Sequence, residues 1–296
     1  GLDAPSGSYK GSSREDSIGS AFYAYSTSLV IKAGHALGRD VSEYEALYDN
    51  IISTFRSTYP EYKTQTECVL AAHFNLAPDP QKAADQLAEK VKNCGVKLET
   101  GFVGTPYLLH VLSDYGYADL AYSLLLRKEY PSWIYPVTKG ATTIWEHWDG
   151  IMENGDFWSK DMNSYNHYAY GSIQEWMFRH VAGINTMESH PGARTVQFAP
   201  TLNWDLRYAE AKYDSASGMY SIRWELSDKE HVTITMDVPF DCTAEAVLPM
   251  VAKSEKEAVA EVLGSEENGR YLLEPGHYEV SYQLSGWKEK TAVCVE

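Results

Sequence analysis

The spacing of apolar residues changes once along this chain, and that change limits what the chain can fold into. Over the first two thirds, apolar residues recur at intervals of three and four, as on one face of an α-helix; Ile18 to Ala36 is one such run. After about Pro191 the interval becomes two, which is typical of strands with one buried face. The pattern predicts a helical domain over residues 1–190 and a β domain over residues 191–296.

The helical part is predicted to contain about seven helices in consecutive pairs. Ser42 and Glu45 have the spacing of a capping box, and Asp79 is a good N-cap for a later helix. Asn163 or Ser164 could cap a last long helix that continues to about residue 181. Pairs of helices that recur roughly every 40 residues are typical of an α-solenoid or an α/α barrel.

The β part is predicted to form an antiparallel sandwich. Residues 220–226, 232–238 and 278–284 alternate apolar and polar side chains. Glycine, proline, aspartate and serine bound these short runs, as expected of strands joined by turns.

Charge and composition exclude several classes of partner. The 296 residues carry 41 acidic and 25 basic side chains, a net charge of −16. A nucleic-acid or anionic-membrane binder needs a basic surface, so neither partner is expected. No run of 18 apolar residues is present, which predicts no transmembrane helix. The four cysteines, Cys68, Cys94, Cys242 and Cys294, fit no metal motif, and we expect neither a metal site nor a cofactor.

A tryptophan-rich segment interrupts the helical pattern between residues 129 and 163. It holds four of the eight tryptophans, at positions 133, 145, 148 and 158, together with two prolines and three glycines. Disordered segments are poor in aromatic residues, so a long ordered loop is expected here. Such loops inside compact domains are often functional.

Within this segment, the run ATTIWEHWDG (141–150) places Glu146 close to two tryptophans, Trp145 and Trp148. Indole faces suit the apolar face of a sugar ring, and a desolvated carboxyl group is suited to general acid–base catalysis. Glycoside hydrolysis requires two carboxyl groups. Spacing alone favours the alternative, a surface glutamate on a packed aromatic loop.

A second run, NSYNHYAYGS (163–172), contains His167. If the last long helix starts here, His167 lies at its N-terminus, where free N–H groups could bind a hydroxyl or a carboxylate. The alternative is a plain helix cap followed by an ordinary core or surface histidine.

These two runs, with Glu146 and His167 21 positions apart, resemble bacterial α-L-rhamnosidases of glycoside hydrolase family 78. The similarity extends upstream through TGFVGTPYLLHVLSDYGYADL and GSYKGSSREDSIGSAFYAYSTSLV, and downstream through PGARTVQFAP and SGMYSIRWEL. It covers nearly the whole chain and weakens after about residue 249.

The resemblance implies a multidomain α and β protein, with part of an (α/α)6 barrel followed by an antiparallel β-sandwich. It makes Glu146 the general base of an inverting hydrolysis of terminal α-L-rhamnosides, and His167 a contact to the rhamnose. Trp145, Trp148 and Phe102 match positions near the site. Members of the family often carry Arg after the catalytic Glu, where this chain has His147.

A second departure from the family, larger than the one at His147, concerns the general acid. The family's general acid lies in an upstream motif of the form D-x-x-x-R-(E/D)-R-x-G-W-x-G-D, which this sequence does not contain. We therefore expect a fragment that lacks the acid, is inactive alone, and has the missing N-terminal part of the same polypeptide as its partner. A rhamnose-containing glycoside or oligosaccharide is the expected substrate, and a bacterial cytoplasm or periplasm would suit it.

Two alternatives remain open from the sequence. The first is an α/α-barrel hydrolase that acts on another sugar, because a fold does not fix a function. The second is a non-catalytic scaffold that binds a carbohydrate or a partner chain, which fits the missing acid.

Overall fold

The structure is a computed structural model, and it describes residues 11–286. Contacts divide the chain into two compact units, Gly1–Ile173 and Gln174–Glu296. The first is helical and the second consists mainly of β-sheets, which confirms the predicted order. The division falls within the helical segment that precedes the strands, and the domain boundary near residue 190 stays a prediction.

Six helices of the first unit form three hairpins. They are α1 (Glu15–Ala36), α2 (Ser42–Thr58), α3 (Gln65–His73), α4 (Pro80–Asn93), α5 (Thr105–Asp114) and α6 (Ala118–Leu125). Each odd-numbered helix packs against the even-numbered helix that follows it. In addition, α3 contacts both α1 and α5, so the odd-numbered helices form a row. This row of paired helices is the arrangement expected for part of an α/α barrel.

The caps of two helices test the predicted start signals. Asp79 caps α4 as predicted, since its Oδ1 accepts a hydrogen bond of 3.3 Å from the Lys82 N–H. The capping box at Ser42 is wrong, because the N-cap position of α2 is Val41. The N–H and the hydroxyl of Ser42 instead bind the Asp40 carboxylate, at 3.0 and 2.7 Å.

Apolar packing between the first hairpin and α3 forms a core in the helical unit. Its buried members are Ala21, Ala24, Ile52, Phe55, Tyr59, Leu70, Phe74 and Leu76. The ring of Tyr25 stacks on Phe74 with centroids 4.3 Å apart. Other large apolar side chains of α1 remain exposed, namely those of Tyr23, Leu29 and Val30.

A buried carboxylate joins the start of α1 to the start of α3. The Glu67 side chain is only 1% exposed and accepts hydrogen bonds from the Arg14 Nη2, Nε and backbone N–H at 2.8, 3.1 and 3.0 Å. The Lys63 N–H adds a fourth at 2.8 Å. Burial alone would raise the pKa of Glu67, but these hydrogen bonds and the Arg14 charge lower it below its ordinary value.

We expect Glu67→Gln to lower the free energy of unfolding by about 2–4 kcal/mol near neutral pH, because a buried ion pair loses its charge. A carboxyl group whose pKa is lowered by folding stabilises the folded state at pH values above the ordinary pKa of a glutamic acid. This stabilisation is lost as the pH falls through the lowered pKa. The difference between variant and wild type should therefore shrink in acid. Urea unfolding at several pH values measures it, with the exposed Glu43→Gln as a control that changes stability by less than about 0.5 kcal/mol.

The predicted last helix starts later than the sequence suggested. The chain instead forms a 3-10 turn at Ala169–Ser172, then α8 (Ile173–Trp176) and a π-helical segment at Met177–Ala182. Asn163 and Ser164 are not its caps, because their polar groups bind elsewhere, as described below. The tryptophan-rich segment contains one short helix that the sequence did not predict, α7 (Ile134–Thr138).

Two sheets form the second unit, together with a helix not predicted, α9 (Lys256–Leu263). The strands are β1 (Ile184–Thr186), β2 (Thr195–Phe198), β3 (Tyr208–Ser215), β4 (Gly218–Leu226), β5 (His231–Val238), β6 (Thr243–Ala246), β7 (Glu266–Glu267), β8 (Arg270–Leu273) and β9 (Gly276–Gln283). One sheet has the order β1-β2-β6-β8-β7, and the other has the order β3-β4-β5-β9. The neighbouring strands are antiparallel except for β2 and β6, which are parallel because the chain passes through the other sheet between them.

The two sheets share a core, as expected of a sandwich. Along β4 the side chains of Tyr220, Ile222 and Trp224 are fully buried, as their alternation predicted. The Tyr220 ring lies edge-to-face with Phe198 of the other sheet, with centroids 6.3 Å apart. Its hydroxyl group donates to the backbone carbonyls of Ala193 and Arg194, each at 3.0 Å. The predicted fold class is confirmed by this arrangement together with the helical hairpins.

Candidate active site

Backbone hydrogen bonds bring the two sequence runs side by side. The Glu146 N–H donates to the Ser164 carbonyl at 2.9 Å, and the His167 N–H donates to the Ile144 carbonyl at 2.9 Å. The Thr143 hydroxyl adds a bond to the Tyr165 carbonyl between them. Glu146 and His167 are 21 positions apart in the sequence, and they therefore lie on segments that are adjacent in the fold.

The Glu146 carboxylate is held in place but remains partly accessible. Its side chain is 18% exposed. One oxygen, Oε2, accepts a hydrogen bond of 3.0 Å from the Ser164 N–H. The other, Oε1, lies 4.0 Å from Nε2 of His147. Ser164 thus supports this carboxylate rather than a helix end, a role that sequence spacing did not reveal.

The carbonyl of Gly150 fixes the loop that follows Glu146. It accepts hydrogen bonds from Asn163 Nδ2 at 2.9 Å, from the Tyr165 hydroxyl at 2.8 Å and from the Trp158 N–H at 3.1 Å. A Cβ at Gly150 would lie 3.1 Å from Trp145 and 3.2 Å from both Asn163 and Tyr165, so the packing favours glycine. The second run is thereby hydrogen-bonded to the Gly150 carbonyl of the first. The side chain of Asn163 is used in this contact, which explains why Asn163 is not a helix cap.

Trp145 and Trp148 lie inside this aromatic loop. Their exposed fractions are 5% and 3%. The Trp145 ring lies edge-to-face with Tyr165 at 5.1 Å, and Trp148 stacks on Tyr170 at 3.8 Å with Trp133 at its edge. Both indoles are therefore buried among other aromatic rings in this structure. Their assignment to substrate binding stays a prediction, whereas their packing supports the loop around Glu146.

His167 lies in a row of three roughly parallel rings. Its imidazole stacks on Phe102 with centroids 4.8 Å apart and planes inclined by 13°, and the Tyr168 ring lies parallel to it with centroids 5.7 Å apart. Tyr168 is 89% exposed. His167 Nδ1 accepts from the Ala169 N–H at 3.3 Å, which assigns the proton of the neutral ring to Nε2. His167 therefore offers one N–H donor to a ligand.

An open cleft of about 900 Å³ adjoins this row of rings. It is lined by Phe102, Pro106, Thr143, Ile144, Asn166, His167, Tyr168, Ala169, Gly171 and Ser172. Two of the predicted site residues, Phe102 and His167, are in this wall. Glu146, Trp145 and Trp148 are outside it, although Glu146 follows the wall residue Ile144 by two positions. No sequence pattern singled out Tyr168 or Ile144 as site residues. Both side chains are exposed in the structure, and that exposure is what marks them as wall residues.

The electrostatics around Glu146 involve its two neighbours in the motif. His147 stacks on Trp158 at 3.6 Å, and burial lowers its pKa, although Glu146 and Asp149 act in the opposite direction. Burial also raises the pKa of Asp149. The imidazole of His147 is therefore neutral near pH 7, and the motif gains no fixed positive charge from it.

Within residues 11–286, no group of three or more His, Cys, Asp or Glu side chains is arranged to hold an ion. Cys68, Cys94 and Cys242 are free thiols, and burial raises the pKa of Cys68 to about 12, while Cys294 lies outside the described residues. Among the same described residues, every helix is too short or too polar to cross a lipid bilayer.

Comparison with known families matches both parts of the chain. Residues 3–181 match the bacterial alpha-L-rhamnosidase 6 hairpin glycosidase domain, and residues 183–262 match the bacterial alpha-L-rhamnosidase C-terminal domain. The first match alone spans more than half of the sequence and includes both runs of the candidate site.

Individual relatives agree with the family match. An alpha-L-rhamnosidase of Streptomyces avermitilis is 39% identical over 79% of this chain and 23% of its own length. One of Formosa agariphila is 37% identical over 82% of this chain and 27% of its own. The crystal structure of a Streptomyces avermitilis alpha-L-rhamnosidase complexed with L-rhamnose superimposes with a TM-score of 0.83 at 33% identity, over 95% of this chain and 28% of that one. This chain spans about a quarter of these relatives, and it belongs to the bacterial α-L-rhamnosidase family.

Proposed function

We propose that this chain supplies the base side of an active site that hydrolyses terminal α-L-rhamnosides with inversion. In this reaction a water molecule attacks the anomeric carbon and gives its proton to Glu146. The glycosidic C–O bond breaks, and the leaving oxygen takes a proton from a general acid. The observation that carries the proposal is the Glu146 carboxylate, held by the Ser164 N–H through Oε2 with part of the side chain open to solvent.

The neighbouring residues suit a deoxy sugar. The Nε2–H of His167 can donate to a sugar hydroxyl, because its Nδ1 is already an acceptor for the Ala169 N–H. The partly exposed ring of Phe102, stacked on His167, offers an apolar surface to the methyl group and C–H bonds of rhamnose. We propose Phe102 and His167 as substrate contacts, with Trp145 and Trp148 near them.

We further propose that the general acid comes from polypeptide outside these 296 residues. Three observations support this: the relatives are more than three times as long, the acidic family motif is absent from the sequence, and α1 leaves large apolar side chains exposed. In an inverting site the two carboxyl groups lie about 6.5–9.5 Å apart, which leaves room for the water.

The test compares two polypeptides on an aryl α-L-rhamnoside. We expect the purified 296-residue chain to release no aryl alcohol above a no-enzyme blank, because protonation of the leaving oxygen has no donor. A polypeptide that joins the chain to a segment with the acidic motif should release it. Turnover by the chain alone would overturn the proposal that the general acid lies outside these 296 residues. Failure of the longer polypeptide on rhamnosides, with turnover of glucosides or uronides, would overturn the substrate class.

A further inference from the structure

The imidazole of His147 has an unusual environment for a residue outside the assigned site. Its Nε2 is buried and has no hydrogen-bond partner among residues 11–286. The Glu146 Oε1 atom lies 4.0 Å away, too far for a hydrogen bond. An unpaired buried polar atom is costly, and a proton on Nε2 would allow a small movement to pair the imidazole with the Glu146 carboxylate.

Stacking restricts how His147 can move. Its ring lies 3.6 Å from Trp158 with an angle of 17° between the planes. A stacked ring can slide in its own plane but cannot tip without losing the contact. A shift of roughly 1 Å would bring Nε2 within hydrogen-bonding distance of Oε1. Catalytic hydrogen bonds are often long without substrate and shorten when it binds.

The charge state of His147 matters for its neighbour. Burial lowers the pKa of His147, against the opposing influence of Glu146 and Asp149, and His167 adds to the lowering. A neutral imidazole can donate through Nε2 without placing a full positive charge beside the carboxylate. A cation at this position would stabilise the carboxylate more strongly and make it a weaker base.

We propose that His147 is a positioning residue for Glu146. Its Nε2–H closes onto Oε1 when substrate binds, while the Ser164 N–H holds Oε2. Both oxygens of the base are then fixed, and each keeps a lone pair for the attacking water. This inference rests on the proposed role of Glu146 and adds the group that orients it.

The test uses a matched pair of variants in a polypeptide that contains this chain and hydrolyses an aryl α-L-rhamnoside. His147→Phe keeps the ring on Trp158 but removes the donor. His147→Gln loses the ring but keeps an N–H near the position of Nε2. We expect kcat to fall about 10–100-fold in His147→Phe, with KM within about threefold, because a misplaced base slows the chemical step. His147→Gln should stay within about threefold of wild type, as should the exposed control His190→Gln.

A second measurement uses the 296-residue chain without turnover. In a ¹⁵N-histidine sample near pH 7, the His147 resonances should report a neutral ring protonated at Nε2, and the Nε2 signal should shift in Glu146→Gln. A ring protonated only at Nδ1 would overturn the inference. So would wild-type kcat in His147→Phe, or equal losses in the Phe and Gln variants, while Glu146→Gln is inactive. Wild-type activity in Glu146→Gln would instead overturn the proposed function.

Discussion

Glu146→Gln is expected to lower kcat for an aryl α-L-rhamnoside by about 10²–10⁴-fold in a polypeptide that contains this chain and is active on that substrate. The amide oxygen of glutamine can still accept from the Ser164 N–H, so the loop keeps its geometry. The variant cannot take a proton from water, and the chemical step slows. Steady-state kinetics should show KM within about threefold of wild type, since binding groups are unchanged.

The matched control for this variant is Glu153→Gln. Glu153 lies in the same tryptophan-rich segment and its side chain is exposed. We expect wild-type kinetics from it. Similar losses in both variants would mean that the loop, rather than the Glu146 carboxylate, carries the effect. Wild-type kcat in Glu146→Gln would remove Glu146 from the reaction.

Gly183→Ala is expected to cost the second unit about 3–5 kcal/mol of unfolding free energy. Gly183 ends the π-helical segment with φ of 92°, in the left-handed region. A Cβ there would lie 2.3 Å from the Pro200 nitrogen and 2.6 Å from the Ala199 carbonyl carbon. These are backbone atoms, which cannot rotate away, and Gly183 also accepts the Ala199 N–H at 2.8 Å.

The control for Gly183 is Gly192, because its φ of 91° is nearly identical. A Cβ at Gly192 would meet nothing within 4 Å. Gly192→Ala should therefore lower the free energy of unfolding only by the strain of an alanine in the left-handed region, roughly 1–2 kcal/mol. Urea unfolding followed by tryptophan fluorescence compares the two variants. Equal losses would show that the chain near Pro200 moves aside and that the close approach is not limiting.

The sequence predicted the helical hairpins and the alternating strands because local periodicity follows directly from which face is buried. Ile222 and Trp224 are buried as their spacing predicted. The start of the last helix was missed because Asn163 and Ser164 have the right residue types for caps. Their groups are used instead by Gly150 and Glu146, which are distant in the sequence. Propensity cannot distinguish a local partner from a remote one.

The candidate site shows the same limit. Residue types and spacing singled out Glu146 and His167, and the resemblance then implied their roles. Backbone hydrogen bonds bring their segments together. The predicted sugar-facing tryptophans lie among other rings, because an indole that suits a sugar equally suits an aromatic core. The buried Nε2 of His147 could not be predicted at all, since it depends on the Trp158 ring eleven positions later.

The row of hairpins also determines how the helical unit can open at the α1–α2 end. Each hairpin gains stability from its neighbours in the row, much as repeats do in a linear array. The α1–α2 hairpin adjoins the rest of the row through α1, which contacts α3, and the Arg14–Glu67 pair lies at that junction. Opening of this end of the row therefore requires the Arg14–Glu67 pair to break and the core around Phe74 to be exposed.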